Sequence, residues 1–362
     1  MRTKTFVSAY LNELDPAASR DAPHCRADVM FGASGTLLAL AKLQELGFES
    51  ASKVPVWMEE TQTRLKDDLT AYAPEDLGGA IQAGYASGSL GPLFALAYAA
   101  IGGEAESSAT DRVKSFVSAA TLLVESRGLI ELFGGTAGIA ILANQLARRL
   151  DARPGYAAAR ASLLTLGALA RSSLLEFLRT PQPAGHLLGW AHGASGLLYS
   201  VLVTEGEVPS FVEERLQEFR ALAMRDGRLI AWPTHQGDDE PTPLWFTICN
   251  GVAGQLVLWS AAYARTSDAS HLAVADDCAH TTAALLVNEP SLCCGAAGQA
   301  AALFAHVRAG GSERYRRVAR SRLDRAMCFG ATERGLYKGR DGIAVCAAQF
   351  ATKNPVTFPY LL

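Results

Sequence analysis

The chain has 362 residues, of which 49% are hydrophobic and 19% charged, with a net charge of −3. That composition supplies a large buried core, and the near-balance of charge offers no broad basic surface for nucleic acid. No uninterrupted apolar run reaches the roughly 18 residues of a spanning helix, and Met1-Arg2-Thr3-Lys4 does not begin a signal-peptide pattern. A cytoplasmic protein without a membrane span is therefore expected, and its seven cysteines read as free or metal-bound thiols rather than as a disulfide framework.

Residues 5–14 form a first amphipathic segment. A Gly-x-x-Gly turn follows at 32–35, and the same turn recurs at 88–91, 135–138, 193–196, 251–254, 295–298 and 339–342. One such turn means little. Seven, with first glycines 56, 47, 58, 58, 44 and 44 residues apart, mark an internal repeat. Leu/Ala-rich stretches follow the turns, for example Thr36-Leu37-Leu38-Ala39-Leu40-Ala41 and Ile139-Ala140-Ile141-Leu142-Ala143, apolar nearly all round. They read as buried inner helices. The segments before the turns, at 61–72, 111–125, 210–225 and 313–327, are amphipathic and read as outer helices. No strand alternation is evident. The expected fold is all-α, an (α/α) toroid or barrel of seven helical hairpins forming one domain over residues 1–362. The glycines would allow tight turns and close backbone approach where each inner helix starts. Two longer loops, 180–186 and 232–243, lead to the fourth and fifth turns. The second reads equally as a wall of a site and as a solvated loop.

Chemistry concentrates on the turns. The fifth reads Ile248-Cys249-Asn250-Gly251 and the sixth Leu292-Cys293-Cys294-Gly295. Three thiols carried by two equivalent turns suit Zn²⁺ with a fourth position left open for substrate. The plainer reading is that cysteine is a small buried apolar residue. His192 stands directly before the glycine of the fourth turn, as Cys294 does in the sixth, and is expected to face the same cavity and move a proton. Glu131, four residues before the third turn's first glycine, is a carboxylate in apolar company: a base, or the group that orients a histidine. His24, His186, His235, His271, His280, His306, Cys278, Cys328 and Cys346 lack such placement and are read as structural, and the arginines from 308 to 325 as a solvated outer face.

Seven glycine turns with Ala-His-Gly, Cys-x-Gly and Cys-Cys-Gly before three of them resemble the lanthionine synthetase C-like family of lanthipeptide cyclases, over about residues 31–350. The resemblance implies a toroid with zinc in its cavity on Cys249, Cys293 and Cys294, a catalytic His192 and a catalytic acid at Glu131. It implies that a peptide cysteine adds to dehydroalanine or dehydrobutyrine to form a thioether ring, on a precursor dehydrated by a separate dehydratase. Two positions depart from the family pattern. Asn250 follows Cys249 where many members have an aromatic residue, and Trp245 stands where some have a basic one, which leaves the enolate-stabilising group unassigned. An all-thiolate set with Zn²⁺ sums to −1, which predicts a nucleophilic substrate thiolate and tolerance of several ring sizes. Three other functions fit parts of the pattern. One is addition of a free thiol such as glutathione. Another is a zinc-free peptide-binding toroid. The third, an (α/α) glycosidase, lacks a partner carboxylate for Glu131 among the turns.

Overall fold

A computed structural model describes residues 2–15, 27–71, 85–86, 88–180, 185–242, 246–329 and 334–352. His24, Trp245, Pro243 and residues 181–184 of the first long loop lie outside them. The described residues form fourteen α-helices: α1 (Arg2–Glu13), α2 (Ala33–Glu45), α3 (Val54–Ala71), α4 (Leu90–Gly103), α5 (Glu106–Glu125), α6 (Thr136–Arg149), α7 (Ala157–Arg179), α8 (Ala194–Val203), α9 (Ser210–Ala221), α10 (Val252–Thr266), α11 (Ala269–Ala284), α12 (Ala296–Arg308), α13 (Arg314–Phe329) and α14 (Arg340–Thr352).

The even-numbered helices start at the glycine turns and are the inner ring. Their Ala, Leu, Ile and Val side chains are buried on every side, as in α2, where all residues from Ala33 to Leu43 are covered. The odd-numbered helices bury one stripe each; in α5 it is Ala109, Val113, Phe116, Ala120 and Val124, a helical period. Each fully buried Leu, Val or Phe in these stripes contributes about 1.5–3 kcal/mol of hydrophobic stabilisation. Each inner helix packs against the next, and α14 packs against α2, so the ring closes. Most inner helices are covered most closely by the outer helix that follows them in the chain, as α7 covers α6 and α11 covers α10, while α8 is shared equally by α7 and α9. The chain begins with an outer helix, so α14 is covered by α1.

A circuit of main-chain hydrogen bonds ties the seven turns together. The N–H of Met30 donates to the carbonyl of Ala86 at 2.9 Å, Ala86 to Phe133 at 3.0 Å, Phe133 to Ala191 at 3.2 Å and Ala191 to Cys249 at 2.8 Å. Ile248 donates to Cys293 at 3.2 Å, Cys293 to Tyr337 at 2.8 Å, and Leu336 returns to Val29 at 2.9 Å. The glycines make this packing possible. The first ones enter the helices in extended backbone, as at Gly193 (φ −144°), so they are not there for a left-handed conformation. A Cβ on Gly193 would lie 2.2 Å from the Leu187 carbonyl oxygen, and one on Gly254 2.1 Å from that of Ile248. Close approach, not turn geometry, requires glycine.

Two expectations change. The outer helix expected over 210–225 ends at Ala221, and Met224–Asp226 pairs antiparallel with Leu229–Ala231, so a short strand hairpin exists where none was expected. Gly227-Arg228 turns it, with Gly227 at φ +57°. Residues 154–179 also contain a window with mean hydropathy 1.3, long and apolar enough by composition to cross a membrane. Arg160, Ser162, Thr165 and Arg171 interrupt the run, and α7 is used as an outer helix against α5 and α6.

Candidate metal and proton-transfer site

The turns share one register. Two residues before the first glycine, Ala86, Phe133, Ala191, Cys249, Cys293 and Tyr337 are buried. One residue before it, Phe31, Gly134, His192, Asn250, Cys294 and Lys338 are each partly or fully exposed, and all but Phe31 stand between buried neighbours. These are the residues that the ring presents at its turn face. Four residues before the glycine the side chain caps the turn. Asp28 accepts from Phe31 N–H at 2.8 Å, Thr247 from Asn250 N–H at 3.3 Å and Ser291 from Cys294 N–H at 3.4 Å.

Glu131 occupies that capping position in the third turn, yet it reaches across to the fourth. Its Oε2 lies 2.7 Å from His192 Nδ1. Gly134 leaves the room: a Cβ there would fall 2.6 Å from Glu131 Oε1. The His192 ring also packs edge-on against Phe133, 5.8 Å between centroids, and Phe133 in turn packs on Tyr337 at 4.8 Å. The histidine is thus held on two sides. Its Nδ1 faces the carboxylate, and Nε2 is the nitrogen left for proton transfer.

The three cysteines converge. Cys294 Sγ lies 3.7 Å from Cys249 Sγ and 3.4 Å from Cys293 Sγ, and all three sulfurs are within 4.8 Å of one another. They are free thiols. A tetrahedral Zn²⁺ with Zn–S bonds near 2.3 Å needs sulfurs roughly 3.8 Å apart, close to the two distances from Cys294, so the set could hold such an ion. Cys249 and Cys293 are 6% and 4% exposed, while Cys294 is half-open, which leaves a side for a fourth ligand. The cluster and His192 sit on neighbouring turns, joined by the bond from Ala191 to Cys249.

Lys338 completes the group. Its Nζ lies 2.8 Å from Cys294 Sγ. Hydrogen bonds from Cys249 and Cys293, with the Lys338 ammonium beside it, hold the Cys294 thiol well below the usual thiol range. Cys293 is pushed far up, chiefly by its bonds to Cys249 and Cys294 and then by burial. Cys249 is lowered by Cys293, but the bond to Cys294 and burial outweigh this and move it up. Burial alone would lower Lys338; the Cys294 thiolate, with Cys293 and Glu289 near, moves it up instead. Of the three thiols, Cys294 is therefore the one favoured as thiolate, and Cys249 and Cys293 are favoured as thiols. No cysteine or histidine motif marks Lys338. Its signal is register, since it precedes the seventh turn's glycine as His192 and Cys294 precede theirs.

The remaining candidates are structural. His271 is buried between Thr266 and Glu213, and Asp268 near it caps α11 by accepting from Ser270 N–H at 2.7 Å. His235 is exposed and bonds Asp238 at 3.1 Å. Its loop is pinned against the segment entering the fourth turn, where Leu188 N–H donates to Thr234 and Gln236 N–H to His186. The loop thus lies beside that turn, with its outer residues exposed.

Fold and site define a closed ring of inner and outer helices that gathers thiols, a histidine–carboxylate pair and a lysine on its turn face. A family model described as "Lanthionine synthetase C-like protein" matches residues 25–345, and the chain belongs to that family. Nine solved chains match, among them one titled "Nisin cyclase", with TM-score 0.69, 13% identity, and coverage of 97% of this chain and 94% of that one. At that identity the likeness shows the helical toroid. No curated protein matches the chain by sequence.

Proposed function

We propose that the chain is a zinc-dependent lanthipeptide cyclase. Its reaction would add peptide cysteine thiols to dehydroalanine or dehydrobutyrine and form (methyl)lanthionine rings. The observation that carries this reading is the pairing of a three-thiol cluster with a carboxylate-held histidine on the adjacent turn. Zinc held by Cys249, Cys293 and Cys294 would supply a lowered pKa for the substrate thiol at neutral pH. As the new C–S bond forms at the β-carbon, the α-carbon must gain a proton. His192 delivers it from Nε2, and Glu131 fixes the ring and stabilises its protonated form. The peptide arrives already dehydrated, so a separate dehydratase is part of this reading.

Lys338 changes the expected electrostatics. Zn²⁺ with three thiolates sums to −1, and the ammonium on Cys294 brings the group to zero, the charge of a Cys₂His set. The extra thiolate is thus offset, and broad ring-size tolerance no longer follows from charge alone.

The test is zinc per chain for the parent and for Cys249→Ala and Cys294→Ala, followed by mass spectrometry of a dehydrated peptide treated with a thiol-alkylating reagent. Near one zinc, lost in both variants, and masked peptide thiols with the parent alone support the reading. A folded, reduced parent without zinc overturns it in favour of a binding module. Adducts with added glutathione in place of internal rings would make it a free-thiol transferase.

A further inference from the structure

A solvent-open cavity of about 300 Å³ lies at the opposite end of the inner ring from the thiols. It is lined by α8, the middle and C-terminal part of α10, and the C-terminal ends of α12 and α6. Along α10 the step from Val252 to Arg265 is about 20 Å at 1.5 Å per residue, so the arginine end of this cavity is remote from Cys249. Three arginines from three different inner helices stand at its rim, Arg148, Arg265 and Arg308, each of them exposed to solvent. No carboxylate is among its lining residues, and its walls are apolar, including Leu202 and Val257.

Arginines at helix C-termini are expected from the macrodipole. Here they exceed it, because three full charges oppose roughly half a negative charge for each of four helix ends. Arg148 and Arg265 have outside partners, Glu205 at 3.7 Å and the Gly206 carbonyl. Arg308 makes no hydrogen bond or ion pair among the described residues, and burial pulls its pKa down with no opposing charge. Ser260, on the wall, is already engaged by His306 Nδ1 at 3.2 Å, and His306 Nε2 by Asp276 at 3.0 Å. These three residues match a hydrolase triad in type. Ser260 sits mid-helix, however, where the surrounding amides are bonded and cannot hold an oxyanion. The cavity therefore reads as a binding site.

We propose that this cavity is a second ligand site, for a small free carboxylate with a short apolar body, its head on Arg308 and Arg265 and its chain against Leu202 and Val257. At roughly 30 Å³ per water, the volume equals about ten waters, which suits an occupant of about ten non-hydrogen atoms. Octanoate has that size and chemistry.

The experiment is calorimetric titration of the full chain with octanoate, octan-1-ol and octylammonium. One octanoate per chain is expected, bound at least about tenfold more tightly than either comparator, the scale of one charge-assisted pair. Arg308→Gln should weaken octanoate about tenfold while leaving thermal unfolding and metal content unchanged. Ala261→Trp, which fills the cavity, should abolish binding. Equal affinity for octanol, octanoate affinity unchanged by Arg308→Gln, or no binding to the folded parent each overturns the proposal.

Discussion

Lys338 and Cys294 show how one contact sets the ionisation of a whole cluster. A thiol held below the free-cysteine value of about 8.5 is ionised where ordinary thiols are protonated. In metal-stripped protein, Cys294 should be the first cysteine of the cluster alkylated by iodoacetamide. Its rate should be nearly flat between about pH 6 and 8, where an ordinary thiol gains about tenfold per unit. Lys338→Met should slow the reaction at the acid end and move the midpoint upward. A Cys294 rate that climbs tenfold per unit in the parent would remove the lysine from this role. Glu131→Gln keeps the size of the group that faces His192 but not its charge. Ring closure should fall by about 10- to 100-fold with zinc content unchanged, the usual cost of losing a residue that orients a functional histidine. An unchanged rate would mean that His192 works without its carboxylate. These residues differ in how legible they are in sequence. Cysteine and histidine stand out beside glycine turns, and Glu131 stands out in an apolar stretch. Lysine is common on surfaces, so only its register in the seventh turn distinguishes Lys338.

At the scale of the element, turns and helices obey different rules. The inner helices are legible from composition, because a helix without a polar face must be covered all round. The turn glycines are legible as a repeat, and the structure supplies the reason: a neighbouring backbone occupies the space a side chain would need. Gly254→Ala tests this. Its Cβ would meet the Ile248 carbonyl oxygen at 2.1 Å and Trp190 Cβ at 2.6 Å, and no rotamer relieves a backbone clash. Chemical denaturation should show a loss above about 3 kcal/mol, with zinc released because Ile248 and Cys249 must shift. Gly47 is the control. It has φ +80° with nothing within 4 Å of an added Cβ, so Gly47→Ala should cost only about 1 kcal/mol. Similar costs for the two would show that the fifth turn yields easily. The strand hairpin at 224–231 is the element the sequence conceals. Gly227 opening a two-residue loop is a hairpin signal, but three residues on each side are too few to display alternation.

At the scale of the molecule, the repeat count is legible, whereas the seam is not, since its partners lie at opposite ends of the chain. Asp341, fully buried, accepts from Tyr10 Oη at 2.8 Å, Thr36 Oγ1 at 2.6 Å and Gly335 N–H at 2.8 Å. One carboxylate thus joins α1, α2, the seventh turn and α14. An open array of repeats has ends, and its ends fray first; a closed ring has none. Asp341→Ala leaves three buried donors without an acceptor, at about 1–3 kcal/mol each, and all of them lie on the seam. Tyr10→Phe should cost about 1–2 kcal/mol in the parent and almost nothing beside Asp341→Ala, because the two share one interaction. Hydrogen exchange gives the spatial answer. With Asp341→Ala, protection should drop most in α1, α2 and α14 and least in α8, on the far side of the ring, since breaking the seam creates the ends that closure removed. Equal loss in every helix would mean that the ring unfolds as one unit wherever it is weakened, and that the seam holds no special place in its stability.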